Sequence, residues 1–330
     1  MEKGHPTSPS EPVAKLIAGV ALLCAAVFGW AQDYPSRTIV LVVPFTPGTT
    51  ADSLARLMQP HLSQRWGVPV VVENKPGAAG IIGIDSVAKA NPDGYTFLFT
   101  STAFGTLAAM NPKLPYDPDK SFAPVMLLGT SPLSLVVSNH FPASTVKELI
   151  VQAKARPGDL NYASAGTGSV FHLSMELLQH EAGTRMIHVP YKGTTGVIND
   201  LIAGHVQASM MVFQTAAPLV QSGRVRMLAV MSSQRAPGLP DVPTIVESGF
   251  PNMIVEAWTG VMVPAKTPPA VISKFNGEIN KVLALQDVKA AAARIDVTLA
   301  GGTPEILDAL VKREIKQWTE VVERANIKPE

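Results

Sequence analysis

The chain has 330 residues and a formal net charge of +1, and it is 46% hydrophobic and 16% charged. This length exceeds what one hydrophobic core usually serves, so two domains are expected. The near-zero net charge and the aromatic content of 6% give no reason to expect nucleic acid as a partner.

The first 31 residues are predicted to be a secretory signal peptide rather than part of the fold. A polar stretch with Lys3 and Lys15 leads into the apolar run LIAGVALLCAAVFGWA, and cleavage is expected after Ala31. A membrane anchor is the alternative, but about sixteen apolar residues are short for a bilayer span. The single cysteine, Cys24, lies in this segment, so a cleaved chain would have no thiol for catalysis, disulfides or metal binding. The cleaved protein is therefore expected to be exported.

After Gln32 the pattern alternates strands and helices. In chain order it predicts a strand IVLVVPF, a helix over 50–66 ended by Gly67, a strand VPVVVEN, a helix over 80–89, a strand YTFLFTS, a long extended run over 122–137, a helix over 146–155, a strand LNYAS, a helix over 169–183, a strand MIHVPY, a helix over 195–203, the strands VQASMMVF and RVRMLAV, an extended run over 254–263, and helices over 269–284, 287–294 and 304–325. Short strands separated by helices indicate an α/β fold with a parallel, doubly wound sheet.

The two long extended runs flank a middle block of strands and helices. This arrangement predicts two lobes joined by two crossover strands, with a ligand cleft between the lobes. Lobe 1 is expected to be discontinuous, with residues 32–133 and 256–330, and lobe 2 to comprise residues 134–255.

Two strand-to-helix corners share an unusual composition. VPFTPGTTAD, residues 43–52, and LNYASAGTGSVFHL, residues 160–173, both place glycine and hydroxyl side chains just before a helix. Any such corner needs turn and capping residues. A helix start rich in free N–H and hydroxyl groups is also a receptor for a small anion. The repetition, one loop in each expected lobe, favours the anion site, because two such loops can close on one ligand.

The chain resembles the periplasmic solute-binding proteins of tripartite tricarboxylate transporters, the Bug-type family, from about Tyr34 to the C-terminus. The similarity rests on an ordered set of segments: PSRTIVLVVPFTPGTTAD, WGVPVVVENKPGAAGIIG, NPDGYTFLF, LNYASAGTGSVFHL, HVPYKGTTGVINDLIAGHVQ and LPDVPTIVESGFP. It implies a two-lobed, type II periplasmic-binding-protein-like architecture, the Venus flytrap, and a small carboxylate ligand.

The resemblance also implies a pincer, in which both loops grip one carboxylate through backbone N–H groups, hydroxyls and ordered water. The residues carried over are Phe45, Thr46, Gly48, Thr49 and Thr50 in the first loop, Ser164, Ala165, Gly166, Thr167, Gly168 and Ser169 in the second, and His172 in the following helix. Asp52 is interpreted as a helix cap, because an acid would repel the ligand. Tyr191 could close over a ligand, with capping or packing as the alternative.

Other motifs point to structure rather than chemistry. The glycines of Gly77-Ala78-Ala79-Gly80-Ile81-Ile82-Gly83 lack the spacing and context of a dinucleotide fingerprint. Ser144-Thr145-Val146-Lys147 matches S-x-x-K without its companion motifs, and Ser144 is expected to cap a helix. The seven histidines form no H-x-x-x-H pair. No catalytic residue, cofactor or metal site is therefore predicted.

The resemblance, together with the absence of a convincing catalytic set, implies a non-catalytic, monomeric solute-binding protein that delivers a small carboxylate to inner-membrane transporter subunits. An exported α/β enzyme acting on a similar acid, or a ligand sensor that docks on a signalling partner, are the alternatives. Gln207 and Met211 stand where the family often has acidic residues, so a carboxylate without an amino group is expected, with an apolar or aromatic body. The alternative is that Asp200 and Glu256 supply the missing negative charge. Replacing Thr49 or Ser169 by Ala is expected to weaken binding with little effect on stability.

Overall fold

A computed structural model describes residues 34–295 and 297–328. The predicted signal peptide, its cleavage after Ala31, and Cys24 lie outside the described residues. None of the helices in the described part has the length and apolar composition of a membrane span.

The described residues form ten strands that join one sheet. The strands are β1 (Ile39–Val43), β2 (Val70–Asn74), β3 (Thr96–Ser101), β4 (Phe122–Ser138), β5 (Asn161–Ser164), β6 (Ile187–Pro190), β7 (Ala208–Val212), β8 (Val225–Val230), β9 (Glu256–Pro264) and β10 (Thr298–Leu299). The main path through the sheet runs β2-β1-β3-β9-β4-β7-β5-β6, and β8 and β10 each pair with β4. β1 is parallel to β2 and β3, and β5 is parallel to β6 and β7.

Ten α-helices cover the sheet within the described residues. They are α1 (Thr50–Trp66), α2 (Ile81–Ala88), α3 (Ala103–Met110), α4 (Val146–Ala155), α5 (Val170–Ala182), α6 (Thr194–Ala203), α7 (Phe213–Gln221), α8 (Pro269–Leu283), α9 (Gln286–Arg294) and α10 (Pro304–Arg324). Local sequence explains the bounds of α1. The Thr49 side chain caps its start, and Gly67, with φ of 67°, ends it in the left-handed conformation that glycine tolerates.

The long strand β4 belongs to both halves of the sheet. Its first part, 122–132, pairs with β9, and its second part, 133–138, pairs with β7 and β8. The chain crosses back just before β9, where Leu133 N–H donates to the carbonyl of Val255. The predicted two-lobed α/β architecture with two crossover strands is confirmed.

The last helix, α10, packs into both lobes. Leu307 and Val311 lie in the core that contains Phe104 of lobe 1. Two to three turns later, Trp318 and Val321 lie in the core built around β4, β5 and α5 of lobe 2. One helix therefore contributes side chains to the cores of both lobes.

Two helices are not predicted by the sequence. The segment AFGTLAAM of α3 has no charged face, so no helical period can be recognised in it. The segment FQTAAPLVQ of α7 contains Pro218, a residue that counts against a helix interior. The prediction that strand VQASMMVF extends to Phe213 is wrong, because β7 ends at Val212 and Phe213 begins α7.

Candidate functional site

A cavity of about 450 Å³ lies between the lobes, where the strands that lead into α1, α3 and α5 end. Open α/β sheets bind ligands at this edge. Part of the lining comes from helix starts and the loops before them: Phe45, Gly48, Thr49, Thr50, Ala51, Ser101, Thr102, Ala103, Thr106, Ser169, Val170, Phe171 and Thr194. The rest comes from the crossing strands and their neighbours: Gly129, Thr130, Ser131, Val212, Ala257, Trp258, Thr259 and Val297.

The first loop places Thr49 at the start of α1. The Thr49 hydroxyl accepts a hydrogen bond from Asp52 N–H at 3.4 Å and donates one to the Thr46 carbonyl at 3.2 Å. Thr50 and Ala51, the first two helical residues, line the cavity. Because the first N–H groups of a helix have no partner within it, this turn supplies donors to the cavity.

Asp52 stabilises the first loop and the start of α1 through hydrogen bonds to its side chain. Its buried carboxylate accepts hydrogen bonds from Gly48 N–H at 2.9 Å, from the Asn74 amide at 2.9 Å and from Arg56 Nε at 3.0 Å. Burial alone would raise the pKa of Asp52, but the hydrogen bonds from Arg56, Gly48 and Asn74 hold it below its ordinary value. The interpretation of Asp52 as a capping residue agrees with these contacts.

The second loop repeats the arrangement at the start of α5. The Ser169 hydroxyl accepts from His172 N–H at 3.3 Å and donates to the Gly166 carbonyl at 2.7 Å. Gly168 has φ of 75°, and a Cβ placed there would lie 2.9 Å from Cγ of Met110 at the end of α3. Glycine is therefore required at position 168 for two reasons: it tolerates the left-handed conformation, and it leaves room for the contact between the lobes.

His172 supports this loop from behind. Its side chain is buried, its Nδ1 accepts a hydrogen bond from Gly168 N–H at 3.1 Å, and its ring stacks on His188 with centroids 3.7 Å apart. Burial, together with the neighbouring His188, lowers the pKa of His172 to about 3, so the ring is neutral at physiological pH. His188 Nε2 lies 2.7 Å from Ser164 Oγ, but Ser164 is fully buried and does not present a nucleophile to the cavity.

Two further helix starts reach the same cavity. Thr102 and Ala103 bring the start of α3, and Thr194 brings the first residue of α6. The Thr102 hydroxyl accepts from Trp258 N–H at 2.8 Å, which fixes α3 on the crossing strand β9. Sequence reasoning missed Ser101 and Thr102, although three hydroxyl residues in a row at the end of a strand repeat the signal of the two predicted loops.

The electrostatics of the cavity come from dipoles rather than ions. Among the described residues, the lining contains no Asp, Glu, Lys, Arg or His side chain. Four helix starts, each with partial positive charge, face it together with the hydroxyls of threonine and serine. Phe45, Phe171 and Trp258 add aromatic surface. The site is suited to a small anion with an apolar part.

The structure brings five of the predicted site residues to the cavity lining: Phe45, Gly48, Thr49, Thr50 and Ser169. The others lie outside the lining: Thr46, Ser164, Ala165, Gly166, Thr167, Gly168, His172 and Tyr191. Several of these eight build the turns and hydrogen bonds that hold the two caps in place. Direct contacts from them to a ligand stay predictions.

Tyr191 is engaged within lobe 2. Its hydroxyl donates to Asp200, and a Cβ at Gly196 would lie only 2.7 Å from its ring. Burial and the Asp200 carboxylate raise the pKa of Tyr191 to about 12. Gln207 hydrogen-bonds the start of β5, and Met211 is buried in the lobe 2 core, so neither lines the cavity. The described cavity lining lacks charged side chains, as expected, but Gln207 and Met211 are not among the residues that line it.

The glycine-rich turn before α2 and the S-x-x-K motif have structural roles. A Cβ at Gly83 would lie 2.7 Å from the backbone of Pro44, so glycine lets α2 approach the first loop. The expected cap at Ser144 is wrong by one residue. The cap of α4 is Thr145, and the Glu148 side chain accepts from Ser144 N–H.

Two lobes, crossover strands and a ligand cavity between them define a solute-binding protein with the periplasmic-binding-protein fold. The chain belongs to the family described as the tripartite tricarboxylate transporter family receptor, TctC, whose model matches residues 54–327. The family predicted from the sequence is confirmed. Because its members and its solved structural neighbours are solute-binding receptors, the alternative of an enzyme is not supported.

Similar proteins cover nearly the whole chain. The "UPF0065 protein in tcbD-tcbE intergenic region" of Pseudomonas sp. (strain P51) is 39% identical over 312 residues, 93% of each chain. The structure "R. palustris Rpa4515 with adipate" is 34% identical, with a TM-score of 0.77 over 90% of this chain and 100% of that one. "MatC (Rpa3494) from Rhodopseudomonas palustris with bound malate" is also 34% identical, with a TM-score of 0.74 over 88% and 100%.

Proposed function

We propose that this chain captures a small organic carboxylate in the cavity between its lobes and delivers it to a tripartite tricarboxylate-type transporter. The observation that carries the proposal is the convergence of four helix starts on a cavity whose described lining bears no charged side chain. Helix starts bind anions through their free N–H groups and partial positive charge, so a carboxylate is stabilised without a Lys or Arg.

The grip on the ligand is a pincer with one arm from each lobe. The first turns of α1 and α5, with the Thr49 and Ser169 hydroxyls, supply donors from opposite sides. The lobes divide at 133/134 and 255/256. This division is supported by the change of partner along β4 after Pro132 and by the start of β9 at Glu256.

The proposal includes export to the periplasm, with the signal peptide removed near Ala31, and delivery to inner-membrane subunits. Membership of the receptor family supports export and delivery. The relatives solved with adipate and malate support a carboxylate ligand. One chain supplies both arms of the pincer, so a monomer is sufficient for binding.

The ligand is a carboxylate without an α-amino group and has an apolar or aromatic body. A bound amino acid would bring an ammonium into the cavity, and a buried cation without a partner is strongly disfavoured. The described lining offers no carboxylate to pair with it, whereas Phe45, Phe171, Val212 and Trp258 offer apolar surface.

A melting screen of matched pairs tests this specificity. Succinate is compared with aspartate, and benzoate with phenylalanine, alongside adipate and malate. A ligand at about 100 times its Kd stabilises the fold by about 2.7 kcal/mol. For a chain of this size the melting temperature then rises by several degrees, at about 2 to 4 °C per kcal/mol. A consistent preference for the amino member of each pair would contradict the proposed specificity. A failure of every carboxylate to bind would contradict the proposed function.

Delivery to a transporter is tested separately by uptake of a radiolabelled carboxylate that binds. Cells lacking the gene are expected to lose uptake, and cells expressing a binding-defective variant are expected to behave like the deletion. Unchanged uptake would favour the alternative of a ligand sensor that docks on a signalling partner.

A further inference from the structure

A second cavity lies behind the ligand cavity, on the other side of the two crossing strands. It has a volume of about 290 Å³ and is bounded by β4, β9 and α10. Thr130 and Trp258 line both cavities. The wall between the two cavities is therefore one strand layer thick at these residues.

Glu314 of α10 lines the rear cavity and is buried, with 5% of its surface exposed. Its Oε2 accepts a hydrogen bond from the Trp258 indole Nε1–H at 2.7 Å. The same oxygen lies against the first turn of α3, because a Cβ at Gly105 would be 3.3 Å from it. The Glu314 carboxyl group is therefore held beside the start of α3. The ligand cavity lies on the opposite side of this helix start.

Trp258 provides a second connection between Glu314 and α3. The indole of Trp258 bonds to Glu314, while its backbone N–H donates to Thr102 Oγ1 at 2.8 Å and its carbonyl accepts from Thr102 N–H at 3.2 Å. Thr102 is the residue at which α3 begins, and it lines the ligand cavity. A change in the charge of Glu314 therefore acts on this helix start both through space and through Trp258.

We propose that Glu314 tunes ligand affinity from behind the cavity, because its ionised carboxylate and a bound carboxylate oppose each other across the start of α3. This inference rests on the proposed function, since it requires an anion in the ligand cavity. Two negative charges near one helix start disfavour each other, so binding favours the protonated form of Glu314. The protein then takes up a proton when it binds a carboxylate, and affinity falls as Glu314 ionises.

The surroundings of Glu314 place the ionisation of its carboxyl group in a pH range in which ligand binding can be measured. Burial raises the pKa of Glu314 to about 7, against the opposing effects of the Trp258 hydrogen bond and the Arg313 charge. Glu256 lines the same rear cavity, whereas α3 and the whole of β4 carry no titratable side chain. On α5, Glu176 and His180 lie beside Arg324, about 15 Å further along α10.

Two measurements test the proposal in the full protein. The first follows the Trp258 indole N–H resonance by NMR, assigned with Trp258→Phe, as the pH rises in the absence of ligand. In the wild type this resonance is expected to titrate, and in Glu314→Gln it is expected to stay constant. Glu320→Gln is the matched control, because it removes an acidic charge from α10 at a residue paired only loosely with Arg324, at 3.7 Å. A wild-type indole resonance that does not titrate would overturn the proposal.

The second measurement is calorimetric affinity at about pH 6 and about pH 8.5. It uses whichever of succinate, malate, adipate and benzoate binds most tightly. Wild-type and Glu320→Gln affinity are expected to fall by about fivefold or more between these values, the low end of typical coupling between sites. Any change in the ionisation of the ligand affects Glu314→Gln and the wild type equally. Glu314→Gln is expected to bind the ligand with similar affinity at both pH values.

The outcomes separate the inference from the proposed function. Binding with an equal pH dependence in the wild type and Glu314→Gln would overturn the inference alone. An absence of binding by all four carboxylates at both pH values would overturn the proposed function and the inference together.

Discussion

Thr49 and Ser169 lie on opposite lobes and face one cavity with the same pair of hydrogen bonds. Each hydroxyl accepts from the N–H three residues ahead, at 3.4 Å for Thr49 and 3.3 Å for Ser169. Each donates to the carbonyl three residues behind, at 3.2 and 2.7 Å. A hydroxyl has one proton, so donation to the proposed carboxylate ligand requires it to turn away from that carbonyl, and the charge of a carboxylate makes it the stronger acceptor.

Thr49→Ala and Ser169→Ala are expected to lower both stability and affinity. Both side chains cap a helix, and loss of an N-cap costs about 1 kcal/mol of unfolding free energy, so we predict a larger loss of stability than the sequence alone indicated. Loss of a hydrogen bond to a charged ligand weakens binding by about 1.5 to 3 kcal/mol. Chemical denaturation and calorimetry measure the two effects. The control is Thr145→Ala, which removes the matching cap of α4. If the affinity of Thr145→Ala falls as much as that of Thr49→Ala and Ser169→Ala, the loss of affinity reflects lower stability rather than a lost contact with the ligand.

Gly168→Ala is expected to cost more than an ordinary glycine substitution. The left-handed conformation alone costs roughly 1 to 2 kcal/mol for a residue with a side chain. The added Cβ would also press on Met110, 2.9 Å away in the other lobe. Gly158→Ala is the matched control, since Gly158 has φ of 79° but nothing within 4 Å of a Cβ. Equal losses of unfolding free energy in the two variants would show that the contact between the lobes contributes nothing.

Acid is expected to destabilise the fold through His172. Its folded pKa of about 3 lies below the ordinary value of 6.5, so the unfolded chain binds the proton first as the pH falls. The contribution is fully present above pH 6.5 and is lost progressively toward pH 3, with a slope of up to about 1.4 kcal/mol per pH unit. Denaturant titrations of His172→Gln are expected to show a shallower slope in this window. Equal slopes in His172→Gln and the wild type would contradict the assignment.

Val212→Asp is expected to shift selectivity toward amino acids. Val212 lines the cavity at the end of β7, where a carboxylate could pair with a ligand ammonium and repel a second ligand carboxylate. The preference for succinate over aspartate should fall by about tenfold or more, or at least 1.4 kcal/mol. Paired melting and calorimetry experiments measure this change. Val212→Asn has nearly the same shape without the charge, so an equal shift in that variant would rule out the electrostatic explanation.

The sequence was sufficient to predict helices whose first and last residues are marked by local capping or turn residues. The bounds of α1 and α4 match the prediction, and the local residues Thr49, Gly67 and Thr145 mark these helix ends, although the cap of α4 was expected one residue earlier, at Ser144. The start of α3 could not be placed in the same way, because AFGTLAAM owes its helical form to packing against α10 and β9. The site follows the same division. The two loops are local signals, whereas Trp258 and Thr130 reach the cavity only because distant strands cross beneath it.

The path of α10 has a consequence for how a newly made chain acquires its structure. Leu307 and Val311 complete one core, and Trp318 and Val321 complete the other. Neither lobe can close its interior before residues 307–321 have been synthesised. A chain terminated just before residue 304 would therefore leave two open cores instead of one finished lobe, and separately expressed lobes would each lack part of their packing.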